Sequence, residues 1–183
     1  MFAGSSSPEA AGAVAGLGQP APAPGADPAP THPPPRLLAG LAALVDHSLL
    51  RLEVTPDGAP RYAMLETVRE YALERLDASG AAEAARRRHA RYFAGLAAGA
   101  EPRLQSATRD RRLRGLVLDD DNLWAALRWA VAREATEIAL GLAGAPLWFW
   151  GRRNSADMLR WYERVLALPA GRSAAAPAAS PAK

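Results

Sequence analysis

The chain has no cysteine among its 183 residues, which excludes disulfides and thiolate metal sites. Lysine is nearly missing too: of 22 basic residues, all but Lys183 are arginines. Set against 19 acidic residues, they leave a net charge of only +3, too small to mark a nucleic-acid binder by charge alone. Long apolar runs are lacking. The longest, Ile138 to Trp150, is too short to span a bilayer and contains Pro146. No basic residue precedes Arg36 and no compact apolar stretch follows Met1, so the start does not read as a signal peptide and a cytoplasmic protein is expected. No GxxxxGK(S/T) phosphate loop occurs, so the chain has no P-loop of its own. Large apolar side chains are scarce in residues 1–35 and 170–183, where runs such as PAPAPGADPAPTHPPP dominate. Such segments cannot offset the entropy of ordering themselves, and both are expected to be disordered.

What remains, roughly residues 36–169, has the size of one ordinary domain or two small ones. RLLAGLAALVD places apolar residues at 37, 38, 41, 44 and 45, one face of a short helix. Leu50, Leu52 and Val54 alternate with Arg51 and Glu53, as in a half-buried strand. TPDGAP supplies the reversal and RYAM the return strand, so residues 48–64 form a β-hairpin. A helix follows directly, with Leu65, Val68, Ala72 and Leu76 on one stripe and Gly80 at its C-terminal end. The next helix, roughly 82–100, carries His89, Tyr92, Phe93, Leu96, Ala97 and Ala100 at helical spacing. A short helix over 109–118 and helices near 120–132, 136–149 and 155–168 complete an array of α-hairpins without a letter-by-letter repeat.

Several features imitate chemistry. GLVLDDDN (115–122) resembles an apolar strand ending in a magnesium-binding Asp, but Asp119 to Asp121 read better as the acidic start and cap of a helix. The arginines of RRRHAR (86–91) read as a solvated face and His89 as a packed core histidine, with an acidic partner or DNA backbone as the alternative. Residues 37–45 carry no Arg, Lys, Asn or Gln to read bases; the hairpin offers only Arg51 and Arg61 for a weak phosphate contact. Glu66, Arg69, Glu70, Glu74 and Arg75 form a charged helix face rather than an acid/base pair. Trp148, Phe149, Trp150, Trp161 and Tyr162 read as core aromatics, or as a ligand groove.

The blocks LAALVDHSLLRLE, RYAMLETVREYALERLDASG, RHARYFAGLA, LDDDNLWAALRWAV, LWFWGRR and RWYERVLAL occur in an order that resembles STAND-class signal-transduction ATPases, the NB-ARC-type, LuxR- or AfsR-like bacterial transcriptional regulators. The resemblance covers roughly residues 37–168. It implies a mainly α fold: a partial winged-helix β-hairpin (36–80, with its upstream helices missing) followed by a TPR-like α-helical array (81–169). It also implies a non-catalytic regulatory and protein-interaction fragment, a truncated or split product. Met64, Leu65, Glu66, Arg69 and Tyr71 would couple the domains, and Trp148, Trp150 and Trp161 would line a partner groove. The chain itself would hold no cofactor; ATP or ADP with Mg is implied only for a full-length relative. Many relatives carry Met-His-Asp where this chain has Met64-Leu65-Glu66, and leucine has no hydrogen bond to give a nucleotide. The alternatives are a DNA-binding winged-helix protein and a non-functional gene product. No membrane contact is expected.

Overall fold

The alternation of Leu50-Arg51-Leu52-Glu53-Val54 becomes strand β1 (Leu50–Val54), paired antiparallel with β2 (Pro60–Met64) in the register Leu50 opposite Met64 and Leu52 opposite Tyr62. The computed structural model describes residues 2–17, 33–98, 114–144 and 155–169, with side chains from residue 159 in the last stretch. The reversal is built as the sequence implies. Gly58 takes φ 82°, its N–H bonds to the Thr55 carbonyl at 2.8 Å, and the Thr55 hydroxyl donates to Asp57. Only Leu65 separates β2 from helix α3 (Glu66–Ala78), so the strand runs straight into the helix; Gly80, at φ 72°, ends the helical path beyond Ser79.

Helix α2 (Pro35–Asp46) precedes the hairpin and buries Leu37 and Leu41 with Leu50 in a small apolar cluster, flanked by Val45, Tyr62 and Met64. The rest of its predicted stripe is not covered: Leu38 and Leu44 are exposed, as are Leu52 and Val54 of β1. Helix α4 (Ala82–Ala98) packs on α5 (Asp120–Ala132) and on α6 (Thr136–Ala143), which in turn meets α7 (Ser155–Leu166). This helical array holds the main core. Phe93, Leu116, Leu123, Leu127, Ala130, Leu142 and Val165 are buried there, and Trp124 meets Trp161 edge-on at 6.0 Å. The chain is therefore mainly α-helical with a small β-hairpin. The inward residues expected on α4 and α5 do face the core, though Tyr92, Leu96 and Val131 are only half-buried and Ala100 lies outside the described residues. The α3 stripe is less satisfied: no residue of that helix is fully buried.

The expectation of disorder over residues 1–35 fails for residues 2–17. Residues 8–15 form helix α1 (Pro8–Ala15), started by Ser7, whose hydroxyl accepts from the Ala10 N–H at 3.2 Å, and by Pro8 in the first turn. It ends at Gly16, φ 75°, with the Leu17 N–H bonding back to the Gly12 carbonyl at 2.9 Å. Small side chains let it lie close on α4: Ala10 is 0% exposed, and Arg88 Nε donates to the Val14 carbonyl at 2.7 Å. Ser6 makes an isolated antiparallel bridge to the open edge of β2, with Ser6 N–H to Tyr62 O at 2.9 Å and Tyr62 N–H to Ser6 O at 2.8 Å. Composition misleads here because alanine and valine need no bulk when a helix lies directly against them. Residues 18–32 and 170–183 lie outside the described residues.

Ala10→Leu should overpack this contact and lower stability by about 1–3 kcal/mol in urea unfolding. The same change at exposed Ala15 should stay within about 0.5 kcal/mol. Equal, near-zero effects at both positions would show that α1 does not contribute to the core.

Candidate functional site

Strand alternation puts Arg61 on the face of the hairpin opposite Tyr62, and that face turns toward the helical array. Arg61 is 6% exposed. Its Nη2 donates to Asp119 Oδ1 at 2.6 Å, to the Ser5 carbonyl at 2.8 Å and to the Leu118 carbonyl at 3.2 Å, and its Nε donates to Ser5 Oγ at 2.8 Å. Asn122 closes the set: its Nδ2 donates to the Ser5 carbonyl at 2.9 Å, and its Oδ1 accepts from the Ala3 N–H at 2.9 Å. The N-terminal segment, the hairpin and the start of α5 thus meet on one guanidinium. Burial raises the Asp119 carboxyl above its ordinary range, and the hydrogen bond from Arg61 opposes that rise. A charge withdrawn from water in this way persists only with its partner in place.

The neighbouring packing is aromatic. Phe2 stands edge-on to His89 at 5.3 Å, and His89 lies 4.7 Å from Phe93. Burial pushes the His89 imidazole down to about 4, against a hydrogen bond with Asn122, and its Nε2 finds no hydrogen-bond partner among the described residues. Burial also drives the Tyr92 phenol up to about 12, with the Ser7 hydroxyl bonded to it. On the far side of β2 a cleft of about 180 Å³ opens between the hairpin and α3, lined by Phe2, Leu50, Tyr62, Met64, Arg69 and Leu73 among others.

The proposed coupling residues sit at this junction but do not converge. Met64 flanks the small cluster and lines the cleft with Arg69. Leu65 is exposed at the start of α3; Glu66 is exposed and ion-paired with Arg69, which holds its carboxyl below the usual range. Tyr71 points outward at 63% exposure. Trp148 and Trp150 lie outside the described residues, while Trp161 packs on Trp124 with the Arg164 guanidinium 5.2 Å over its ring. Two sequence expectations need correction. Arg61 is not a free wing contact for phosphate, because its donors are engaged inside the protein. Asp119 precedes α5 but makes no side-chain cap; its carboxylate serves Arg61 instead. Arg88 is likewise drawn to α1 and Arg86 to Asp77, which leaves Arg87 and Arg91 as the exposed remainder of the basic run. Among the described residues no cluster of three or more His, Asp or Glu is placed to hold a metal ion. Sequence reading missed Ser5, Arg61, Asp119 and Asn122 as a unit because the pairs span more than fifty residues.

Arg61→Ala or Asp119→Ala should each destabilise the protein by about 3–5 kcal/mol, since each strands a buried charge. The double change Arg61→Met with Asp119→Leu should cost less than the sum, as a double-mutant cycle in urea would read. Additive losses would mean that the pair is not coupled. For His89 the folded value lies below the ordinary 6.5, so the unfolded chain takes up the proton first. Stability contributed by the neutral ring is complete above about pH 6.5 and is lost as pH falls toward about 4, by about 3 kcal/mol. His89→Gln should remove that dependence, so the stability gap between wild type and variant should change across this window. A constant gap from pH 7 to pH 4 would contradict it.

Residues 35–77, which span α2, the hairpin and most of α3, match the family model of a winged helix-turn-helix domain. Over 134 residues the chain is 37% identical to proteins named HTH-type transcriptional regulator from Mycobacterium bovis and from Mycobacterium tuberculosis strains CDC 1551 and H37Rv. Each match takes in 71% of this chain but only 14% of the relative's length. No solved structure matches the chain. Residues 35–77 are thus similar to a winged helix-turn-helix domain, in a chain similar to one section of much longer HTH-type transcriptional regulators.

Proposed function

We propose that this chain is a non-catalytic regulatory segment of an HTH-type transcriptional regulator whose winged helix meets protein rather than DNA bases. The observation that carries this reading is the outward face of α2. It presents Leu38, Ala39, Ala42 and Leu44, with no side chain from 37 to 45 that could hydrogen-bond a base edge. The hairpin adds little, because Arg61 is already bound to Asp119. What supports a coupling role is the junction: a hairpin clamped to a helical array passes on a rotation of either part, through the join at Met64, Leu65, Glu66, Arg69 and Tyr71. The helical array, with Trp148, Trp150 and Trp161, would receive a protein partner or effector. In the finer version the larger protein is a STAND-class, NB-ARC-type ATPase, LuxR- or AfsR-like, in the cytoplasm. Its ATP or ADP and Mg would bind outside this chain, and its array would be TPR-like. The order of sequence blocks supports that version.

A second reading is favoured by the family description and by two exposed arginines, Arg36 in the first turn of α2 and Arg51 on β1. Here the segment itself would touch DNA phosphate. Selection from a randomised duplex library separates the two. We expect no enriched motif, and affinity at the non-specific level of about 10⁻⁴–10⁻⁶ M at physiological salt. A recovered motif whose binding is lost in Arg36→Ala or Arg51→Ala would establish the second reading instead.

A further inference from the structure

We infer that β1 is a seam between two copies of this chain, joined antiparallel about a two-fold axis at Leu52. The first observation is an open edge. Ser6 closes the outer edge of β2, whereas β1 pairs with β2 alone among the described residues. Both backbone groups of Tyr62 go to Ser6, so by strand alternation Arg61 and Ala63 turn theirs toward β1, to Glu53 and Arg51. Leu50, Leu52 and Val54 therefore aim their N–H and C=O groups at the open edge. Edge strands are commonly blunted by charged side chains, proline, a bulge or short length. The strand LRLEV has no proline or bulge, and its two charges are of opposite sign.

The second observation is that the strand complements itself in one register. With Leu52 opposite Leu52 of the second copy, the outward-facing backbone groups of Leu50, Leu52 and Val54 meet as hydrogen-bonded pairs. Arg51 then falls opposite Glu53 of the other copy, and Glu53 opposite Arg51. Both side chains are exposed, and neither makes an ion pair among the described residues. A one-residue slip, with Arg51 or Glu53 on the axis, sets like charges opposite each other and turns the wrong backbone groups inward. Parallel pairing in register would set Arg51 beside Arg51. The other face of the same register joins two apolar surfaces: Leu52 is 51% exposed and Val54 68% exposed. A two-fold contact of this kind closes on itself as a dimer.

The test is sedimentation velocity on the full chain over a range of concentrations. We expect a concentration-dependent dimer. Arg51→Glu and Glu53→Arg should each weaken association by about tenfold, because the two-fold repeats every clash, while circular dichroism, and Tm at concentrations where the wild type is monomeric, stay unchanged. Mixing the two single variants should restore the dimer, as a heterodimer, and the double variant Arg51→Glu with Glu53→Arg should dimerise like the wild type. A monomer throughout the range overturns the seam. So do higher oligomers, a dimer indifferent to both single changes, or variants that do not recombine on mixing. None of these outcomes bears on whether the segment reads DNA, so this inference and the functional reading fail separately.

Discussion

A guanidinium taken out of water must have every donor and its charge answered nearby, or the fold loses several kcal/mol. Arg61 has its Nε and Nη2 answered from two distant pieces of chain, Ser5 on one side and the adjacent Leu118 and Asp119 on the other. The consequence is geometric. The hairpin cannot tilt against the start of α5 without breaking these bonds, and residues 3–6 cannot leave without unpairing Asn122 and Tyr62 as well. A winged-helix segment and a helical array could sit as beads on a string. Here one buried charge makes them a single mechanical unit. Replacing both members of the pair by well-packed hydrophobic side chains need not harm stability, which points to the orientation of the hairpin as what the ion pair specifies.

Residues 2–17 act as an N-terminal strap across the hairpin and α4. α1 touches α2, β2 and α4, and Phe2 closes over His89 and Phe93. The chain thereby covers part of an apolar surface with its own first residues, using small side chains at close approach. The covering is incomplete. α3 buries no residue fully, and a cleft remains between it and the hairpin.

Local order was largely legible in the sequence. The hairpin turn, the helix that leaves β2, and the inward faces of α4 and α5 follow from patterns spanning a few residues. The capping signals of α1 were legible too, since Ser7-Pro8 and Gly16 bracket it, but an average over a proline-rich arm hides eight helical residues. The α2 and α3 stripes show the limit of periodicity. It tells which face a helix would bury, not whether anything lies there to receive it; hence Leu38, Leu44 and Leu65 stay exposed. The Arg61–Asp119 pair was illegible for a different reason. Nothing local distinguishes a buried arginine from a solvated one when its partner is 58 residues away.

These contacts divide the hairpin's work between its faces. The face carrying Arg61 is committed to the interior at Arg61, while Arg51 and Glu53 on the same face remain exposed. The face carrying Leu50, Leu52 and Val54 is covered only at Leu50. A wing that meets phosphate offers cations at its rim; this one offers one exposed arginine beside a glutamate, with apolar side chains behind them. Because the buried ion pair holds the hairpin's orientation, the uncovered face and the open edge of β1 are presented in a fixed direction. The outward face of α2 adds Leu38 and Leu44, two more exposed apolar side chains on the element next to β1. Rigid presentation of apolar surface lowers the ordering cost of binding, which is what supports the proposal of a protein partner.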